Sequence, residues 1–277
     1  MKLKARAKIN LFLHVIDRLP NGYHEVETVI QPLTLSDVVD VKRIKKGIRI
    51  SSNADIPLDE NNSAYKAVKR LGVDGVKIHI HKNIPLAGGL GGSAVDAAPV
   101  LKILGRKQSL KKLVKIAGSI AADAPQALFE KPSLGTGIGT NLKIIPKLGK
   151  EFVLLTDVVG SNYYKNKKKS AYLYSKIDGI KIKHSKKLNE MKKALKRKNW
   201  KEIGKSFEND FEKIVFKDYP KIKKLKEELV KTNPDVCGMS GAGSVVFALY
   251  SRKKDAFEAQ KKIRKKFRCW TLLTSTI

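Results

Sequence analysis

Apolar residues alternate through the first stretch of the chain. Ala5, Ala7, Ile9, Leu11, Leu13 and Val15 share one face of a predicted strand, and Lys8, Asn10, Phe12 and His14 share the other. The first set reads as core. The second sets a lysine and an asparagine side by side on a strand, where side chains are held more firmly than on a loop, although a solvated strand lysine leaves the same pattern. Pro20-Asn21-Gly22 is a turn signal. Tyr23-His24-Glu25 follows, and Val26–Leu35, Asp37–Arg43 and Gly47–Ser52 read as further strands of a meander. An aromatic next to an imidazole at a turn exit can stack on a planar ligand and bond its edge, or simply lie at the surface.

Helical periodicity begins after Asn62, a good N-cap for Ser63–Leu71, with Gly72 closing the helix. Val76, Ile78 and Ile80 alternate as a strand, and Ala97, Val100, Leu101 and Leu104 mark a helix from about Ser93 to Leu104. Ser93 and Asp96 have capping-box spacing. Ser109 caps a further helix over Leu110–Ala117. Pro125 suits the first turn of another, which leaves Asp123 just outside a helix N-terminus, where negative charge is favoured. A glycine-rich turn at Gly135–Asn141 and apolar alternation up to Ile145 follow, and Pro146–Lys150 is the best domain boundary. The second half reads as strand Phe152–Asp157, helices near Lys186–Arg197, Trp200–Ile214 and Tyr219–Lys231, a strand at Val236 and another at Val245–Tyr250. Helix Lys254–Lys266 and strand Cys269–Thr274 complete an α+β unit with antiparallel character. Lys165–Lys169 is the nearest thing to a flexible loop.

Between the Val76–Ile80 strand and its helix, four glycines fall in five positions, Gly88, Gly89, Gly91 and Gly92. Strand, glycine loop and helix start are the ingredients of a phosphate cradle, because glycine lets backbone amides approach an anion closely. Tight packing alone would also explain the cluster. It lacks the Gly-Lys-Ser/Thr of a P-loop and the spacing of the dinucleotide fingerprint. A second such loop, Gly238-Met239-Ser240-Gly241-Ala242-Gly243, joins two strands near the C-terminus.

With 277 residues the chain can bury one large or two ordinary cores. Its 57 Lys and Arg against 26 Asp and Glu leave a net charge of +31, densest from Lys165 to Lys201. Such a field attracts polyanions, from nucleotides to nucleic acid, and a lysine-biased composition would produce the same number. Cys237 and Cys269 make no disulfide framework and have no metal-ligand spacing. Asn10, His14 and Asp17-Arg18 interrupt the apolar run near the N-terminus, so neither a signal peptide nor a membrane span is expected. A cytoplasmic protein follows as the expectation.

Five motifs now stand in order: Ala-Lys-Ile-Asn-Leu at 7–11, Gly-Tyr-His-Glu at 22–25, Pro-x3-Gly-Leu-Gly-Gly at 85–92, Asp-x-Pro at 123–125 and Gly-x-Ser-Gly-x-Gly at 238–243. Together they resemble the small-molecule kinases of the GHMP superfamily. The first two motifs resemble the branch whose acceptor is diphosphocytidyl-methylerythritol, in the non-mevalonate route to isoprenoids. The resemblance implies an N-terminal ribosomal-protein-S5-like domain at 1–146 and a C-terminal ferredoxin-like domain at 147–277. It implies ATP with Mg²⁺, its phosphates over Pro85, Gly88, Gly89, Leu90, Gly91, Gly92, Ser93 and Ala94 and its adenine near Asn62. Asp123 matches the catalytic base and Lys8 the lysine paired with it. Asn10, Tyr23, His24, Tyr172, Ser240, Gly241 and Gly243 match acceptor-binding positions, and the segment 160–174 is expected to help hold the cytidine.

The branch usually continues its loop as Gly-Gly-Gly-Ser-Ser-Asp, whereas here it runs Gly91-Gly92-Ser93-Ala94-Val95-Asp96. Ser93 falls where other members carry a metal- or phosphate-contacting serine. Beside the base, Gln126 and Ala127 replace an aromatic pair. The alternatives are a kinase of mevalonate or another small alcohol, and an inactive polyanion-binding relative. The resemblance implies a small-molecule substrate, no membrane, no nucleic acid despite the charge, and a monomer or homodimer.

Overall fold

The computed structural model describes residues 1–160, 163–164, 169–178, 185 and 187–277. Most of the predicted lysine loop lies outside the described residues, at 165–168, as does part of the 160–174 segment.

The alternating N-terminal run forms β1 (Lys2–Arg18), but its second face is not open to solvent. Lys8 and Asn10 are 3% exposed and Phe12 is fully buried. β2 (His24–Arg43) is one continuous strand where two were expected. Asp37 interrupts the apolar pattern without bending the chain, because its Oδ1 accepts the amides of Asn83 and Ile84 at 2.6 and 2.8 Å and its Oδ2 accepts from the Lys82 ammonium. β3 (Ile48–Ser52), α1 (Ser63–Arg70), β4 (Val76–His81), α2 (Gly92–Val95), α3 (Ala97–Leu104), α4 (Leu110–Gly118) and α5 (Ala124–Phe129) follow. Asn62 caps α1 as predicted, its Oδ1 accepting from the Ala64 amide at 2.8 Å. The helix expected from Ser93 to Leu104 is two helices that meet at Asp96. Gly91, at φ +80°, is the N-cap of α2, so the Ser93–Asp96 capping box does not form. Asp96 turns instead to Lys82.

β5 (Ser133–Thr136) and β6 (Asn141–Ile144) form a hairpin about the predicted glycine turn. The remaining elements are β7 (Phe152–Asp157), α6 (Lys169–Ile177), α7 (Lys187–Arg197), α8 (Trp200–Lys205), β8 (Glu208–Asn209), α9 (Glu212–Asp218), α10 (Pro220–Val230), β9 (Val236–Met239), β10 (Val246–Tyr250), α11 (Lys253–Lys266) and β11 (Trp270–Ser275). The single helix expected over Trp200–Ile214 breaks after Lys205. The Ser206 hydroxyl donates back to the Glu202 carbonyl at 3.0 Å, and the chain then extends as β8 parallel to β1, with Phe12 opposite Glu208 and Leu13 opposite Asn209.

The chain divides into two compact units, 1–7 with 35–85 and 91–130, and 8–34 with 86–90 and 131–277. In the first, β2 pairs antiparallel with β4 from Val38–His81 to Arg43–Val76, and β3 lies parallel to β4. Helix α1 packs on α3 and α3 on α5, over a core that includes Val39, Val41, Ile78, Ile80 and Leu101. In the second, Thr28–Ile30 of β2 pair with β5, and a separate antiparallel sheet runs β11-β7-β10-β9. With α6 to α9 inserted after β7, the sequence β7-α10-β9-β10-α11-β11 is the βαββαβ order of a ferredoxin-like unit. Leu154, Val246, Ile222, Leu225, Leu229 and Ile263 are buried there, each contributing about 1.5–3 kcal/mol through loss of apolar surface. The α+β expectation is met. Among the described residues no helix is long and apolar enough to cross a membrane.

Candidate active site

The turn from Ala87 to Leu90 is held by its carbonyls. Ala87 O accepts from Lys169 Nζ at 2.7 Å, Gly88 O from the Val245 amide at 3.1 Å, Gly89 O from Ser240 Oγ at 3.0 Å and Leu90 O from the Lys8 amide at 3.0 Å. In a planar trans peptide the following N–H points opposite to the carbonyl. Fixing four successive carbonyls therefore fixes the N–H groups of Gly88, Gly89, Leu90 and Gly91, each opposite the carbonyl before it. None of these amides, nor those of Gly92 and Ser93, donates to a protein acceptor among the described residues. A run of amides without protein acceptors is what a phosphate cradle requires. Gly89 has φ +79°, and a Cβ there would lie 2.1 Å from Ser240 O, so the approach of the two glycine loops requires glycine.

The same unit brings three further predicted residues, Lys8, Asn10 and Gly241, together. Lys8 Nζ donates to Asn10 Oδ1 at 2.7 Å, Asn10 Nδ2 to Thr28 Oγ1 at 2.8 Å, and Thr28 Oγ1 to Phe12 O at 2.8 Å. This buried relay fixes the Asn10 amide and gives the Lys8 ammonium a neutral acceptor. Gly241 backs onto the relay, since a Cβ built there would sit 3.2 Å from Lys8 Nζ and 3.3 Å from Asn10 Oδ1. Asn209 Nδ2 donates to Met239 O at 2.8 Å and Gly241 O at 2.9 Å, and Tyr163 Oη donates to Ala242 O at 2.7 Å. Burial pushes the Tyr163 phenol up, which keeps it a donor. Thr28, Asn209, Tyr163 and Lys169 were not singled out from sequence, because their partners lie far away along the chain.

In the other unit, Lys82 Nζ donates to Asp37 Oδ2, to Gly92 O at 2.9 Å and to Asp96 Oδ2 at 2.8 Å. Burial, with Asp37 alongside, pushes the Asp96 carboxyl up to about 7 against the pull of Lys82. The trio anchors the loop from beneath at Gly92. Its signal was in the sequence: Lys82 keeps the period of buried Val76, Ile78 and Ile80, and Asp37 that of Val39 and Val41.

Asp123 is partly buried at the N-cap of α5, and its carboxylate does not cap its own helix. Ala94 is buried, while Ser93 is exposed and its Oγ has no protein partner among the described residues. One hydroxyl beside phosphate oxygens and water suits Mg²⁺, which keeps several waters. Asn62 uses both ends of its amide locally, with Nδ2 donating to Pro57 O at 2.8 Å. Pro85 precedes the turn and is partly buried.

His24 opens on a cavity of 330 Å³ that it lines with Val15, Arg18, Ile177 and Asp178. Its Nε2 is 2.6 Å from Asp178 Oδ1, and its ring stacks on Tyr174 with centroids 4.5 Å apart. Tyr23 points away, 62% exposed. Tyr172 lies elsewhere, bonding Asp218 at 3.1 Å within a cluster of tyrosines.

Two family models match the chain, the GHMP kinases N terminal domain over residues 62–131 and the GHMP kinases C terminal domain over 191–269. The chain is 35% identical to the 4-diphosphocytidyl-2-C-methyl-D-erythritol kinase of Caldicellulosiruptor saccharolyticus, over 95% of its own length and 93% of the relative's. It is 33% identical to the enzyme of that name from Clostridioides difficile, over 97% and 93%. A crystal structure of a 4-(cytidine 5'-diphospho)-2C-methyl-D-erythritol kinase superposes with TM-score 0.79 at 26% identity, covering 100% of both chains. The Methanococcus jannaschii mevalonate kinase, at TM-score 0.70 and 15% identity over 100% and 98%, shares the fold.

Proposed function

The chain belongs to the GHMP kinase family and is an ATP-dependent kinase, and from that premise we propose that it phosphorylates a hydroxyl of 4-diphosphocytidyl-2-C-methyl-D-erythritol. The observation that carries this reading on the chain itself is the turn whose four carbonyls are each held by a protein donor while its amides meet no protein acceptor among the described residues.

Phosphoryl transfer needs an in-line hydroxyl, neutralised phosphate charge and a group to take the hydroxyl proton. The amides of Gly88 to Ser93 bind the nucleotide phosphates, with Pro85 and Ala94 bounding the loop and Asn62 shaping the adenine side. Asp123 receives the hydroxyl proton, and Lys8 serves the same transfer step. Asn10, fixed by Thr28, and the loop of Ser240, Gly241 and Gly243 orient the acceptor. His24, with Tyr174 stacked on its ring, reads the cytosine, whereas Tyr23 and Tyr172, expected beside it, do not line its cavity. When bound, Mg²⁺ supplies charge neutralisation at the transferring phosphate, held by Ser93. Two modules, 1–146 and 147–277, belong to the same proposal, and the matched stretches 62–131 and 191–269 fall on either side of 146. So do a cytoplasmic setting and a monomer or homodimer without nucleic-acid binding.

The deciding experiment measures ATP consumption by the purified protein with the cytidylated methylerythritol and with mevalonate. Turnover of the first and silence with the second is the expected result, and the reverse overturns the acceptor assignment. His24→Ala is expected to raise KM for the cytidylated acceptor by about 10- to 100-fold with KM for ATP nearly unchanged. Equal weakening of both removes the cytosine role.

A further inference from the structure

Lys169 stands at the start of α6, and its ammonium reaches two carbonyls on different loops, Ala87 O at 2.7 Å and Gly243 O at 2.9 Å. Ala87 has φ +59°, a conformation unusual for a residue with a Cβ, so something must hold it. Of the four donors that orient the turn, two are backbone amides and one is a hydroxyl. Lys169 alone carries a charge that can be lost. Its third donor position has no protein acceptor among the described residues, and Nζ lies 5.2 Å from the centre of the Tyr163 ring.

We propose that Lys169 is a positioning residue of the phosphate site, holding the Ala87 turn and the Gly243 loop in the binding geometry, and that its charged ammonium serves there better than the neutral amine. This rests on the nucleotide-binding reading above and extends it to a residue outside the glycine motifs.

The groups facing the ammonium are Lys8 from β1, Asp157 at the end of β7, the Tyr163 ring and the two carbonyls. Burial, with Lys8 adding to it and Asp157 opposing, lowers Lys169 to about 8. A polyanion seated on the neighbouring amides restores the preference for the charged form, so the Lys169 pKa rises on nucleotide binding. Where the free protein has lost that proton and the complex keeps it, binding takes up a proton. Affinity is then level below about 8 and weakens by up to roughly tenfold for each pH unit above it.

The test is calorimetric titration of the full chain with a non-hydrolysable ATP analogue at about pH 9, in two buffers of different ionisation enthalpy. Wild type is expected to take up close to one proton. Lys169→Arg keeps the charge, so it binds with little dependence on pH and takes up none. Lys169→Met loses about 10- to 100-fold in affinity at neutral pH. The proposal is overturned by proton uptake in Lys169→Arg equal to that of wild type, or by Lys169→Met binding as tightly as wild type at every pH. If Lys169→Met does not fold, the arginine variant decides alone. Wild type that fails to bind the analogue at neutral pH overturns the nucleotide reading and this inference together, whereas the acceptor screen leaves this one standing.

Discussion

A lysine facing outward on a strand is ordinarily solvated, yet Lys8 is 3% exposed and hydrogen-bonded to the side chain two residues on. Burying an ammonium is costly unless it is paired, so its place is consistent with a chemical role. Asp123, at the mouth of α5, is the residue whose loss tests that role most directly. Asp123→Asn is expected to lower kcat by about 10²- to 10⁴-fold with nucleotide affinity retained, measured by steady-state kinetics and binding of an ATP analogue. Near-normal turnover would remove it as the base. A second residue-scale outcome concerns stability. His14 Nδ1 lies 2.8 Å from Asp210 Oδ2 and 3.4 Å from Glu208 Oε1. The adjacent Asp210 carboxylate raises the imidazole above its ordinary 6.5, with burial opposing. The charged pair therefore contributes fully below about 6.5 and its contribution fades as pH rises through the raised value. His14→Gln is expected to cost about 2 kcal/mol at pH near 5.5 and less above pH 8, read from denaturant melts at both. A cost independent of pH would assign the residue to packing alone.

At the scale of elements, much was legible in the sequence and the exceptions have physical causes. Period-two burial announced β4, and the Asn62 and Ser109 caps placed α1 and α4, because those signals are local. The split of α2 from α3 was hidden because Asp96 is drawn off to Lys82, a partner 14 residues back. The break after Lys205 was hidden because Phe207 to Phe211 keep an apolar spacing that suits a helix, while β1 offers them a strand partner. Glycines inside elements report similar long-range demands. Gly204 lies on α8, and a Cβ there would meet the Asp235 carbonyl at 2.0 Å. Gly204→Ala forces the helix off that backbone and is expected to lower unfolding free energy by about 3 kcal/mol, measured by urea denaturation. A change under about 0.5 kcal/mol would mean that α8 shifts without resistance.

For the whole molecule the salient quantity is the +31 charge. Sequence alone left it divided between function and compositional bias, since charge counts carry no position. Against a nucleotide and a diphosphate acceptor such a field accelerates encounter, and dissolved ions screen it over about 8–10 Å at moderate salt. Raising ionic strength from about 50 to 500 mM is expected to lower kcat/KM for ATP several-fold while kcat changes little. A flat profile would mean that the lysine excess plays no part in capture. What sequence could not reveal at this scale is the common task of Lys8, Lys169, Ser240 and Val245, which lie up to 237 positions apart yet bond successive carbonyls of one turn.

That dispersal limits what can be transplanted. A synthetic peptide spanning Pro85 to Ala98, or the same stretch spliced into a foreign strand–helix junction, would carry every glycine and none of the four donors. Its carbonyls would turn freely toward the solvent, the amides would scatter with them, and inorganic phosphate would find no pocket. Engineering this recognition elsewhere means moving the distant donors along with the loop.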